Sequence, residues 1–177
     1  MPVDNGPLAL PVHHFAYAVE DLESAIHDAV ETLGAGPFLL IEDVPLETTS
    51  RGEPAQFVHS AAFGQCGSRA LELMQIKTNW PQRITNAMHG PRPSLNHIGY
   101  VTPSPAEATE QLEQMGLPEF LHAKLGEIEF TLHDAKALWG HNIEVHADNA
   151  AIRSFWQQVH DLSIGWDGSN PIRRMTN

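Results

Sequence analysis

A chain of 177 residues with 42% apolar and 18% charged side chains has the material for one compact domain, or for two small modules sharing a core. Its net charge of −12, on only ten Lys plus Arg, leaves no basic face for a nucleic acid and weighs against substrates carrying several phosphates, such as coenzyme A thioesters. No apolar run approaches the ~20 residues of a membrane span, Met1–Leu10 has neither the charged lead nor the apolar core of an export signal, and the single Cys66 excludes an intramolecular disulfide. A cytoplasmic address with no membrane partner is the expectation.

Met1–Leu10 carries Pro and Gly and reads as a loose lead-in. Val12–Val19 follows as a strand with two unlike faces. Phe15, Tyr17 and Val19 form a bulky face expected to pack on helices, while His14, Ala16 and Ala18 form a face expected to line a cavity. Asp21 is placed to cap a helix running to Leu33, and Gly34 to end it. On that helix Leu22, Ala25, Ile26, Ala29, Val30 and Leu33 fall on one stripe. Extended segments are expected at Pro37–Val44, Gln56–Phe63 and Arg69–Ile76, with the polar stretch Glu47–Pro54 as a loop that shapes or covers a pocket. Trp80–Ser94, rich in Pro, Gly and Asn, reads as a linker.

The pattern then recurs. His97-Ile98-Gly99-Tyr100 repeats the His-led strand, Ser104 and Pro105 open a helix, and Ala108, Leu112 and Met115 form its thinner stripe before Gly116. Phe120–Lys124, Ile128–His133 and Asn142–Ala147 are again extended. His14 to Gly34 spans 20 positions and His97 to Gly116 spans 19. His14 to Glu72 spans 58 and His97 to Glu144 spans 47, and the eleven extra residues are assigned to Glu47–Pro54. Beyond Asp148, Ala151–Leu162 reads as an amphipathic helix that turns Ile152, Phe155, Trp156 and Val159 to the sheet, followed by a turn-rich tail. The class is therefore α+β: two βαβββ modules over 12–80 and 94–148, with a C-terminal helix and tail over 149–177.

A duplicated unit makes a pseudo-two-fold object whose equivalent positions can face each other. Strand alternation sets Glu72 and Met74 opposite Leu71 and Leu73, and Glu144 and His146 opposite Ile143 and Val145. A carboxylate between apolar neighbours on a central strand is costly to bury without a partner, and packing gives no reason to repeat both a His and a Glu. His14, Glu72, His97 and Glu144 thus form an N2O2 set suited to Zn, Ni, Co, Mn or Fe(II), with positions left open for water or substrate. His13 is the alternative to His14, but strict alternation turns it to the opposite face. Met74, Phe63 and Trp139 read as core or as walls of an apolar pocket, His133 and His141 as hairpin residues, and Arg51, Arg69 and Arg92 as the few anchors for an anion.

The duplication, with His at its head and Glu near its end, resembles the vicinal oxygen chelate superfamily over about residues 12–147. That superfamily includes glyoxalase I, methylmalonyl-CoA epimerase, extradiol dioxygenases, and fosfomycin- and bleomycin-resistance proteins. The resemblance implies a cupped mixed sheet around a metal-binding cleft, a small-molecule carbonyl substrate and a homodimer. His14, Glu72, His97 and Glu144 match the four ligand positions of the glyoxalase I and epimerase branches, where epimerases often carry Gln at the position of Glu72. The implied chemistry is that of a lyase or isomerase: the metal polarises a carbonyl, and a neighbouring proton is taken and returned. Glu144 or Glu72 is expected to double as the base by loosening from the metal. His59 lies where the epimerases place a further catalytic glutamate; a histidine moves protons near neutral pH but departs from that pattern. His146 shares the face of Glu144, as a neighbour of the ligands or a pocket wall. Two other readings remain: an Fe(II) extradiol-type dioxygenase, disfavoured by the fourth ligand Glu72, and a non-catalytic bleomycin-resistance-like binding protein, disfavoured by the intact ligand set.

Overall fold

The computed structural model describes residues 11–175. The lead-in at 1–10 and the last two residues of the tail lie outside the described residues. The first module runs β1 (Val12–Ala18), α1 (Leu22–Leu33), β2 (Phe38–Ile41), β3 (Glu47–Ser50), β4 (Glu53–Pro54), β5 (Gln56–Cys66) and β6 (Arg69–Trp80). A short helix α2 (Gln82–Met88) leads to the second: β7 (Ser94–Thr102), α3 (Pro105–Gln114), β8 (Glu119–Leu125), β9 (Ile128–His133), α4 (Lys136–Trp139) and β10 (Asn142–Ala147). Helix α5 (Ala150–Ser163) and strand β11 (Ile172–Arg174) close the chain.

All eleven strands form one mixed, strongly curled sheet in the order β11-β2-β5-β6-β1-β7-β10-β9-β8-β3-β4. The modules meet through the antiparallel pair β1 and β7, and each heads its own parallel partner, β6 or β10. Outward from that seam the strands follow the same sequence on both sides, so the pseudo-two-fold runs through the β1–β7 pair.

Helices α1 and α3 cover the convex side by the means their sequences dictate. The Asp21 carboxylate accepts the Ser24 amide at 2.7 Å, and Gly34 ends α1 in the left-handed conformation, φ 63°. Leu22, Ile26 and Ala29 are buried against Phe38, Leu71 and Leu73, with Ala25 and Val30 half-buried beside them. Leu33 ends the stripe past the sheet and is 60% exposed. On α3 only Ala108 and Leu112 are buried, packing with Ile143 and Val145, and Met115 is exposed. The bulky face of β1 is covered only in part: Phe15 is half-buried and Tyr17 is 39% exposed.

Three segments differ from the sequence reading. Glu47–Pro54 is not a loop but the β3–β4 hairpin, which crosses from the first module and pairs antiparallel with β8, the outer strand of the second. Its two-residue turn, Arg51-Gly52, has positive φ at both positions (54° and 78°), the twist that hairpins favour. Ser50 anchors it, donating to the Phe120 carbonyl at 2.6 Å and accepting from Arg83 Nε at 2.6 Å. The linker holds α2, whose Ile84, Ala87 and Met88 share a core with Phe57, Phe120 and Leu132. The tail adds β11, parallel to β2. Hairpin and tail thereby extend the two outer edges of the sheet.

Candidate metal centre

The two modules bring His14, Glu72, His97 and Glu144 onto four adjacent strands, β6, β1, β7 and β10, all on the concave face. Register arranges them in two rows. Glu72, Ala16 and His97 lie abreast in one, and His14, Gly99 and Glu144 in the next. The residue between the donors is small in each row, and Ala16 and Gly99 are equivalent under the repeat. That is why the cavity-facing side of each His-led strand carries so little bulk. A Cβ built on Gly99 would fall inside the His14 imidazole, so that ring occupies the space glycine leaves.

One atom from each of the four side chains lies within 4.8 Å of the others, and all four residues are buried. His14 Nε2 stands 3.0 Å from Glu144 Oε2 and 3.6 Å from Glu72 Oε2; His97 Nε2 stands 3.4 and 3.5 Å from the same two oxygens. Donors sharing an ion at ~2.0–2.2 Å stand ~3.0–3.5 Å apart in octahedral or tetrahedral geometry, so the spacing suits a first-row divalent cation. Both Nε2 atoms are buried without a hydrogen bond, an arrangement that a cation at their meeting point satisfies.

The surroundings orient the donors. Asn96 Oδ1 lies 3.2 Å from His97 Nδ1, so the Nδ1–H donates and Nε2 is turned to the centre. His14 has no such partner and is held by packing between Gly99 and the Trp156 ring, whose centroid is 4.9 Å away. His146 Nε2 donates to Glu144 Oε2 at 2.7 Å. Burial opposes charge on His97, His14 and Glu144, and its balance with their neighbours differs from one to the next. On His97 the Glu144 and Glu72 carboxylates outweigh burial and raise the pKa to about 10. On His14 burial wins over the same carboxylates, and its pKa is lowered. Glu144, although buried, is held well below the usual carboxylate range by His146, His97 and His14. The protein alone therefore balances ionised Glu144 with a proton on His97, and a cation bound there would have to displace that proton.

Glu72, His97 and Glu144 line a cavity of about 210 Å³, and His14 lies beside them outside its lining. His59 and His146 stand in its wall, with Phe63 and Met74. His59 stacks on Phe57 (centroids 4.4 Å apart), its Nδ1 is buried without a partner, and burial, against the pull of Glu72 and Glu144, lowers its pKa to about 4. It is a neutral imidazole at pH 7. Helix α5 enters the cup itself, placing Ile152, Phe155 and Trp156 in the same wall.

Other sequence expectations fall away from the centre. A bulge at Val12–His14 breaks the alternation of β1, so His13 is not on the opposite face; it stacks on Trp156 at 4.7 Å and lines a separate cleft with Arg69 and Arg153. Trp139 is neither core nor wall but 63% exposed on α4. His133 is structural, its Nδ1 donating to the Leu117 carbonyl at 3.1 Å. Arg51 sits at the hairpin turn, and Arg92 binds the carbonyls of Met88, Gly90 and Pro91. Neither Arg51, Arg69 nor Arg92 lines the metal cavity. Two participants were underread: His146, whose strand position showed its face but not its bond to Glu144, and Asn96, whose only signal is adjacency to His97.

The family model of the Glyoxalase/Bleomycin resistance protein/Dioxygenase superfamily matches residues 13–130, and the chain belongs to that superfamily. The matched span holds His14, Glu72 and His97; Glu144 lies beyond it. A comparison with curated proteins finds no match. Among solved structures, the chain is similar to a hypothetical protein from Bacillus halodurans C-125, with 17% identity over 78% of this chain and 94% of that one, TM-score 0.57. It is also similar to methylmalonyl-CoA epimerase from Mycobacterium tuberculosis, with 14% identity over 81% of this chain and 91% of that one, TM-score 0.52. At these identities the likeness establishes the vicinal oxygen chelate fold.

Proposed function

We propose that the chain is a metal-dependent isomerase or lyase that moves a proton on the carbon beside a carbonyl group. The observation that carries this reading is the convergence of four buried donors from both modules, three of which, Glu72, His97 and Glu144, line a cavity that also presents His59. His14, Glu72, His97 and Glu144 would hold a divalent cation, which when bound would supply Lewis acidity toward a carbonyl oxygen.

The chain's own residues divide the other tasks. His59, uncharged at neutral pH and with Nδ1 free, takes and returns a proton from the cavity wall. Glu72 is the looser carboxylate, 3.5 and 3.6 Å from the two imidazoles, and is the one suited to share that work. Glu144, gripped by His146 at 2.7 Å, stays in place. The apolar walls exclude water, which keeps the proton within the site. All four donors come from one chain, so a homodimer would carry two complete centres.

Glu72→Gln, Glu144→Gln and His59→Gln test the assignment, with cation content measured beside turnover of 2-hydroxy ketones, thiohemiacetals and acyl thioesters. His59→Gln and Glu72→Gln are expected to lose on the order of 10²-fold or more in rate while binding the cation, and Glu144→Gln to lose the cation itself. Full activity in both glutamate variants would overturn the mechanism. Oxygen uptake with catechols in the Fe(II) protein, without proton exchange on any carbonyl compound, would move the site to ring cleavage.

A further inference from the structure

The cavity above the donors has a chemistry of its own. Its walls are Val44, Phe57, Met74, Leu125, Phe130 and Phe155 with other apolar side chains, and every ionisable group in its lining belongs to the donor cluster or is one of the histidines beside it. Among the described residues no Lys or Arg lines it. At about 210 Å³ it is smaller than the ~300–1,000 Å³ of common small-molecule sites.

Among the described residues the rim offers no unpaired counter-charge either. Val44, Leu125 and Met175 reach the cavity, and the cations beside that rim are already engaged. Lys77 pairs with Asp43 at 2.5 Å, Lys124 with Glu129 at 3.2 Å, and Arg174 with Glu23 and Glu42. The cleft that does hold Arg69, Arg153, His13 and His160 lies on the far side of Ile152 and Trp156, which line both spaces and wall one from the other. A nucleotide or peptide carrier leaving the cavity would bring its phosphates or carboxylates to a rim without free cations, on a chain of net charge −12.

We infer that the substrate is a compact, uncharged molecule, its carbonyl oxygen toward the donors and its remaining body hydrocarbon, with no nucleotide or peptide carrier attached. The carbonyl rests on the metal-centre reading above; the hydrocarbon body rests on the walls alone. The two are tested separately.

In the zinc-loaded protein, calorimetry compares benzohydroxamic and acetohydroxamic acids, which offer the same pair of oxygens with and without a ring, and acetyl-CoA and S-hexylglutathione. Benzohydroxamic acid is expected to bind on the order of tenfold or more tighter than acetohydroxamic acid, and the two carrier-bearing compounds not at all. Equal binding of the two hydroxamic acids, or acetyl-CoA or S-hexylglutathione within tenfold of benzohydroxamic acid, would overturn the inference. If the protein takes up no cation, the metal-centre reading fails, and acetophenone against benzoate decides the rest: one ring, neutral or anionic. Saturable binding of acetophenone alone supports the apolar cavity; binding of benzoate as tightly, or of neither, sinks it. In Leu125→Lys, which sets a cation in the wall at a half-buried position, the preference between the two should reverse.

Discussion

The two modules supply the centre with the same donors from equivalent positions but surround them differently. In the second, Asn96 turns His97 by a hydrogen bond, and His146 bonds Glu144. In the first, the residue equivalent to Asn96 is His13, which stacks on Trp156, and the residue equivalent to His146 is Met74, a wall of the cavity. Conversely His59 in the first module faces the cavity from the place Ile128 takes in the second. Duplication accounts for the ligand set. What each donor can do is decided by residues the repeat does not share, and the result is one polar, anchored half and one apolar, looser half.

The sharpest way to break the comparison is at the two small residues that separate the donors. Gly99→Ala forces a methyl group into the His14 ring and should cost about 1–3 kcal/mol together with the bound cation. Its equivalent, Ala16→Gly, should cost about 1 kcal/mol and leave cation binding intact. Urea unfolding and metal content of the two variants, side by side, check this; equal behaviour would mean that the close packing of His14 on Gly99 is not needed.

Next in size are the orienting residues. Asn96→Ala and His146→Phe should each weaken cation binding about 10–100-fold, whereas His13→Ala, at the position equivalent to Asn96, should change it little. Competition titrations with a chromophoric chelator give the three constants. The pH dependence follows from His97, protonated below about 10. Because the cation must displace that proton, affinity should fall as pH falls, about tenfold per unit for one proton released. A cation affinity flat between pH 6 and 8 would contradict the assignment.

The smallest effect concerns His59. Its folded pKa, lowered to about 4, lies below the unfolded value of 6.5, so unfolding takes up a proton as pH falls through that interval. The stability that depends on its neutral form is complete above pH 6.5 and lost between 6.5 and about 4, by up to about 1.4 kcal/mol per unit. Unfolding free energies of the wild type and His59→Gln over this range should converge toward acid; parallel curves would place the imidazole in contact with water.

The clustering of His14, Glu72, His97 and Glu144 was legible because two ionisable residues recur at matched positions where packing asks for neither, and alternation alone placed Glu72 and Glu144 on the cavity side. Helix α1 was legible from Asp21, Gly34 and its apolar stripe, and α3 and α5 from their own stripes, whereas the short helices α2 and α4 were not. The β3–β4 hairpin was not: Glu47, Thr48 and Thr49 carry no apolar alternation, because the strand is fixed by backbone pairing to β8 and by the Ser50 hydroxyl. Strict alternation also misplaced His13, since a bulge is set by the seam between β1 and β7, over eighty residues apart in the chain. Trp139 was misread because size alone does not tell a core residue from one on a short exposed helix.

The most direct test of the account is the number of divalent ions held per chain, in the wild type and in His14→Ala, Glu72→Ala, His97→Ala and Glu144→Ala, after loading with zinc and exhaustive dialysis. One ion per wild-type chain, and a large loss of affinity in each of the four folded variants, is the predicted result. No saturable ion in the wild type, or undiminished affinity in any one of the four, would contradict it.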